Sequence, residues 1–283
     1  MKRFVAPLLV ALLVLAGCGR QAPEVSTTPS ASASAQAVVI GTTADETTRV
    51  IAELYAQGLA GKGRAARIVE LADDPNTVVS RIAASEVDLA PVFAWTAAQS
   101  LQVDSTDPDN LVSDLAAALD GEVAVLQPSD VDRAWRFVSS EKGGSLDDLT
   151  QGVNIVAPTR WKAVGDGLSG LEAVYHVKPT ITTVDDSDDR LAQVASGSLG
   201  VFEATDPNVL GLQPMADPLS MVSADPQLAF LRLELSSDDT ILDVVQQLHE
   251  KLDNGAIIEL HTRAETIGVS AAVTEWLQAN PLS

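Results

Sequence analysis

The sequence predicts an α/β protein built around a parallel sheet. Two observations carry that prediction: short aliphatic runs alternate with helical patterns from residue 38 onward, and the available core material is aliphatic. Hydrophobic residues make up 46% of the 283-residue chain while aromatic residues make up only 4%. The interior must therefore be filled by Ala, Val, Leu and Ile, which suits helices packed on the faces of a sheet.

The first residues give an address rather than a fold. Lys2 and Arg3 are followed by an apolar run from Val5 to Leu15 and by Leu15-Ala16-Gly17-Cys18, the pattern of a cleavable export signal. The run is shorter than the roughly 20 residues a spanning helix needs. Leu-Ala-Gly-Cys resembles the bacterial lipobox, and Cys18 is the single cysteine of the chain, so residues 1–17 read as a lipoprotein signal peptide and Cys18 as the lipidation site. No intramolecular disulfide is possible with one cysteine. Residues 18–37, which include QAPEVSTTPSASASAQA, lack apolar periodicity and read as a flexible tether. The net charge of −21 excludes nucleic acid, whose binding needs clustered Lys and Arg, and disfavours an anionic lipid surface. Membrane attachment would rest on the lipid alone.

Val38-Val39-Ile40 reads as a buried strand ending in Gly41-Thr42-Thr43. A helix follows with Val50, Ile51, Leu54, Tyr55 and Leu59 on one face, stopped by Gly61 and Gly63. Ala65 to Leu71 is a second strand, Asp74-Pro75-Asn76-Thr77 opens a second helix, and Val87 to Thr96 is a third strand running into an aromatic turn. In an open α/β sheet ligands sit beyond the carboxyl ends of the strands, so Thr42, Thr43, Phe93, Trp95 and Thr96 converge on one crevice. Phe93 and Trp95 are equally eligible as core residues. Further on come a helix at Leu111 to Leu119, strands at Val123 to Leu126, Val153 to Pro158, Thr180 to Val184 and Val201 to Glu203, and helices from Leu168 and from Asp189 to Ser196. Thr240 to Leu248 and Val269 to Leu277 are two amphipathic helices near the end of the chain.

Gly165, Gly167 and Gly170 spell G-x-G-x-x-G, with Asp185 and Asp186 about 20 residues on. A dinucleotide turn needs its first glycine directly at the end of a strand, so that the helix N-terminus meets the pyrophosphate. Here Pro158-Thr159-Arg160-Trp161 and three further residues intervene. The spacing is read instead as a loop feeding a helix, and no cofactor is predicted.

These pieces in this order resemble the substrate-binding proteins of osmoprotectant ABC importers, the glycine betaine, choline and carnitine family. The likeness spans about residues 38 to 280 and is carried by Val39-Ile40-Gly41-Thr42, Val87 to Thr96, Asp166-Gly167-Leu168-Ser169-Gly170-Leu171, Thr205-Asp206 and the C-terminal helices. It implies an α/β, two-lobed periplasmic-binding-protein architecture of type II with two interlobe crossovers. Lobe one would be 38–130 plus 222–283, and lobe two 131–221. It also implies a quaternary amine held among aromatic rings by cation–π attraction, and an ABC permease as partner.

On this resemblance Phe93 matches a cage aromatic, Thr96 a carboxylate-binding hydroxyl, and Trp135 lies near a second cage position. Glu203, beside Phe202, stands where the family has a third cage tyrosine, and no aromatic exists near Ser220-Met221 for the last. Thr43 replaces a Lys after the first strand, and Val164 replaces an Arg ahead of Asp-Gly-Leu. Arg160, Trp161 and Lys162 are adjacent, and either basic residue could substitute. A site poorer in basic groups and richer by Glu203 suits a cation better than a zwitterion.

No catalytic constellation is assembled by the sequence. His176, His249 and His261 read as surface or helix-end residues. Ser169 is not a nucleophile elbow, because Leu171 stands where the last glycine belongs. Asp185 to Asp189 lacks the glycine and closing Glu of a calcium loop and reads as a solvated helix start, so no metal is predicted. The alternative to a transport receptor is a surface lipoprotein with a decayed ligand site, acting as an interaction module.

Overall fold

The computed structural model describes residues 36–283 apart from 106–109, 120 and 141–142. The signal peptide, Cys18 and almost all of the tether lie outside the described residues. The chain runs β1 (Val38–Thr42), α1 (Glu46–Gly61), β2 (Ala66–Glu70), α2 (Pro75–Ala83), β3 (Leu89–Phe93), α3 (Ala94–Ser100), α4 (Leu111–Ala118) and β4 (Val123–Val125). It then crosses to β5 (Trp135–Val138), β6 (Asn154–Ala157), α5 (Leu168–Val174), β7 (Thr180–Thr183), α6 (Ser187–Ala195) and β8 (Leu199–Glu203). It returns for β9 (Gln227–Arg232), α7 (Asp239–His249), α8 (Asn254–Ile267) and α9 (Val269–Ala279).

Two sheets result, ordered β2-β1-β3-β9-β4 and β5-β8-β6-β7. β1 pairs parallel with β2 and β3, whereas β9 is antiparallel to both β3 and β4. In the second sheet β6 is parallel to β7 and β8, and β5 is antiparallel to β8. The chain passes between sheets twice, in 126–134 and in 204–226.

Strand alternation puts successive side chains on opposite faces, and both faces of the first sheet are covered. Val38, Ile40, Leu89, Phe93, Ala229 and Leu231 pack on α1 and the C-terminal helices. Val39, Ala90, Val92, Leu228 and Phe230 pack on α2, α3 and α4. That double burial is why β1 and β3 are apolar throughout rather than alternating.

Three readings of the sequence are corrected. The aromatic turn after the third strand is a helix, α3, because Asp225 accepts hydrogen bonds from the N–H groups of Trp95 (2.8 Å) and Thr96 (3.2 Å) at its start. Three helices close the chain, with α8 standing between the two expected. His176 is exposed and His249 does end α7, but His249 and His261 are buried, at 6% and 8% exposure. β9 had no marker of its own beyond Leu228 to Leu231, yet it is the strand through which β3 and β4 join.

Much of the acidity has a local task. Asp45, Asp74, Asp186, Asp238 and Asp253 accept hydrogen bonds from first-turn N–H groups of α1, α2, α6, α7 and α8. A carboxylate there satisfies a donor the helix cannot and complements the positive end of its dipole.

The glycine stretch is explained by close approach. A β-carbon on Gly167 would lie 1.8 Å from the Trp161 carbonyl oxygen, and one on Gly170 would lie 2.9 Å from that of Gly165. A 3-10 turn at Thr159–Ala163 separates β6 from these glycines. Gly167→Ala should therefore cost about 1–3 kcal/mol through overpacking, whereas Gly61→Ala, with nothing within 4 Å, should be near neutral; urea unfolding of both variants checks the contrast.

A buried polar chain ties α7 to the first crossover. A carbonyl only accepts, so His249 Nδ1 must carry the proton donated to Gln127 O at 2.7 Å. Its Nε2 then accepts from Tyr55 OH at 2.6 Å. Tyr55 in turn accepts from Gln227 Nε2 at 3.0 Å, and Gln227 Oε1 accepts from Ser129 Oγ at 2.8 Å. Burial pulls the His249 pKa down to about 4, against a smaller upward effect of the Gln127 bond. The unfolded chain, with an imidazole near 6.5, binds the extra proton first, so this contribution is complete above pH 6.5 and is lost as pH falls toward 4. Wild-type stability should drop by about 3 kcal/mol over that window on this account. In His249→Gln, urea unfolding at pH 7 and pH 4.5 should show a shallower slope, with buried His261, also held low by burial, supplying the remainder.

Candidate functional site

A crevice of about 200 Å³ opens between the sheets at the crossovers. The first lobe contributes Thr43, Asp73, Asp74, Phe93, Trp95, Thr96 and Gln99. The second contributes Trp135, Arg160, Val164, Asp166 and Glu203, and the crossovers contribute Arg133, Ser223 and Asp225.

Arg133 is the organising residue. It lies in the first crossover and is 8% exposed. Its Nη1 reaches Asp45 Oδ2 at 3.1 Å, and its Nη2 donates to Thr96 Oγ1 at 2.9 Å and lies 3.6 Å from Asp225 Oδ2. The guanidinium carbon sits 3.9 Å from the centre of the Phe93 ring. Asp225, from the second crossover, also accepts from Thr96 Oγ1 at 2.7 Å. Burial alone would raise the Asp45 pKa, but Arg133 and Arg160 together with the Thr48 N–H hold it below its ordinary value. Asp45 is therefore an anion that both caps α1 and anchors the crossover.

Arg160 repeats the arrangement from the other lobe. It contacts the Glu203 carboxylate, lies 4.0 Å from Asp45 across the crevice, and stands 5.1 Å over the Trp135 ring. Burial first, and the neighbouring Arg133 second, pull its pKa down to about 10, which still leaves it charged at neutral pH. Gly165 lies close to Gln99 across the crevice, since a β-carbon there would come 3.3 Å from Gln99 Nε2.

Of the residues singled out in the sequence, Thr43, Phe93, Trp95, Thr96, Trp135, Arg160 and Glu203 are brought together in the crevice. Thr42 lies beneath it, with its hydroxyl 3.4 Å from Thr48 Oγ1. Trp161 is fully buried in the second lobe, edge-on to Phe137 with ring centres 5.9 Å apart. Phe202 is fully buried under Arg190, 5.0 Å away, because it points to the opposite face of β8 from Glu203. Thr205 is buried, and Asp206 is taken up by Arg190 at 3.2 Å and by capping the turn at Pro207–Val209.

The expectation of a site poor in basic groups does not hold, since Arg133 was missing from it. No periodicity marks Arg133: it stands in irregular chain, 88 residues from Asp45. Even so the crevice is acidic, because Asp73, Asp74, Asp166, Glu203 and Asp225 line it against Arg133 and Arg160. Both guanidiniums already hold carboxylates.

Removing one member of a buried ion pair strands the other charges in a poorly solvated place. Arg133→Leu should accordingly destabilise the protein by about 3–5 kcal/mol, more than Arg263→Leu at the exposed Arg263–Glu275 pair, and chemical denaturation of the two variants measures the difference.

No family model matches the chain, and no curated protein sequence matches it significantly. Solved structures do match. Apo YehZ from Escherichia coli aligns at 18% identity and a TM-score of 0.68, covering 88% of this chain and 100% of that one. A glycine betaine/carnitine/choline ABC transporter protein aligns at 11% identity and a TM-score of 0.74, covering 86% and 98%. Lactococcal OpuAC, closed and complexed with glycine betaine, aligns at 12% identity and a TM-score of 0.58, covering 86% and 95%. Likeness over nearly the whole of each chain, together with two sheets joined by two crossovers, gives this protein the two-lobed type II periplasmic-binding-protein fold.

Proposed function

We propose that the chain is an extracytoplasmic solute-binding lipoprotein that takes a small amine cation, of the quaternary ammonium or a related class, into its interlobe crevice and delivers it to an ABC permease. The observation that carries this reading is the crevice itself: it is contributed by both lobes, and its carboxylates outnumber two guanidiniums that are already paired. A solute bridging such a crevice favours the closed arrangement by contacts it makes only there, and a permease can read that arrangement. In this reading lobe one is 38–130 with 222–283, lobe two is 131–221, and Cys18 carries the anchor once residues 1–17 are removed. Thr43, Trp95, Thr96 and Glu203 face the solute, with Phe93 and Trp135 behind the arginines. The aligned proteins whose names include glycine betaine, carnitine or choline support the ligand class without specifying its member.

A module with a decayed site is favoured by one observation, the arginine over two of the three crevice rings, Phe93 and Trp135. Saturable stabilisation separates the two, since a ligand at a hundredfold excess over its Kd adds about 2.7 kcal/mol. A thermal-shift and calorimetric series of choline, glycine betaine, carnitine and simpler amines should show saturable binding, with cations ahead of zwitterions. Tight glycine betaine binding without any choline binding would sink the cation reading, and silence across the series would favour the module.

A further inference from the structure

Of the three rings that line the crevice, Phe93 and Trp135 are covered, which leaves Trp95 alone and no aromatic box for a methylated ammonium. Phe93 is 3% exposed with Arg133 over its face, and Trp135 is 8% exposed with Arg160 over its face. Phe202, the remaining ring proposed on the resemblance, is sealed in the second lobe beneath Arg190. A quaternary ammonium has no N–H and gains its affinity from open π faces. Both arginines are held in place by carboxylates, so uncovering either ring breaks ion pairs.

A different group in the crevice is free. Asp166 is 7% exposed and lines the crevice opposite α3. Its Oδ2 accepts the Ser223 N–H at 3.2 Å, but its Oδ1 is buried without a hydrogen-bond partner. Neither crevice guanidinium is available to it, as Arg133 holds Asp45 and Asp225 while Arg160 holds Glu203 and Asp45. A buried carboxylate oxygen left unpaired is costly, and a hydrogen bond from a charged donor is the strongest remedy. Burial raises the Asp166 pKa, against smaller lowering effects of the Ser223 N–H and its own N–H.

Resting on the solute-binding reading above, we infer that the ligand is a protic amine cation, one carrying at least one N–H, whose ammonium donates to Asp166 Oδ1. The selecting element is thus a hydrogen bond rather than an aromatic box. A site built to pair with an N–H discriminates against the analogue lacking it, because the buried acceptor then stays unsatisfied. Trp95 adds a second unused group, an indole N–H that is buried without a partner and belongs to a residue lining the crevice.

The test compares N,N-dimethylethanolamine with choline on the whole chain at pH 7 by calorimetry. The two cations carry the same hydroxyethyl arm and differ by one methyl in place of the N–H. The protic amine should bind about ten- to a hundredfold tighter, and Asp166→Asn, whose single oxygen stays with the Ser223 N–H and whose NH2 group then takes the place of Oδ1, should erase that gap. Equal or tighter choline binding overturns the inference while leaving an amine receptor standing. A gap that survives Asp166→Asn overturns the assignment to Asp166. Should that variant not fold, the comparison in the unaltered protein still decides whether the N–H is read. Loss of binding by every amine overturns this inference together with the solute-binding reading, and is told apart from the first outcome by the absence of choline binding.

Discussion

The Arg133 guanidinium is the point on which both lobes and the crevice depend. It sits in one crossover, is held by Asp45 from the loop that opens α1, and shares Asp225 of the other crossover with the start of α3. A buried charge is tolerable only when its surroundings return what water provided. Here that return comes from two carboxylates, the Thr96 hydroxyl and the Phe93 ring face. The same contacts fix where the second lobe leaves the first.

This arrangement explains how a chain of net charge −21 with few aromatics builds a specific site. Aspartates cap helices where an N–H lacks a partner, and some of them serve twice, as Asp45 does. Three of the rings are not presented bare: Phe93, Trp135 and Phe202 each carry an arginine. A guanidinium stacks on a ring and bonds a carboxylate in the plane of its fork at the same time. Each arginine thereby converts an aromatic face into part of an ion-pair network.

The glycine stretch illustrates how one spacing admits different physics. Gly167 and Gly170 are required because the chain doubles back on the carbonyls of Trp161 and Gly165. Neither approach involves a phosphate. The helix that follows is short, and it begins only after a 3-10 turn has carried the chain away from β6.

Periodicity along the sequence was enough for the α/β class, for β1, α1, β2 and α2, and for the convergence of Thr43, Phe93, Trp95 and Thr96 at strand ends, because those features follow from neighbours within a few residues. Arg133, Asp225 and Asp166 were not legible, since each lies in irregular chain and gains its role from groups far off in sequence. The opposite error befell Phe202 and Trp161, which are near the site in sequence but turned from it by strand alternation and by packing on Phe137. His249 read as a surface or helix-end residue; it does end α7, but Tyr55 and Gln127 close around it. Local pattern by itself determined the layers and the strand ends. Only the tertiary structure decided which charges are paired and which carboxylate oxygen is not, because burial and pairing are properties of the assembled lobes and not of any segment.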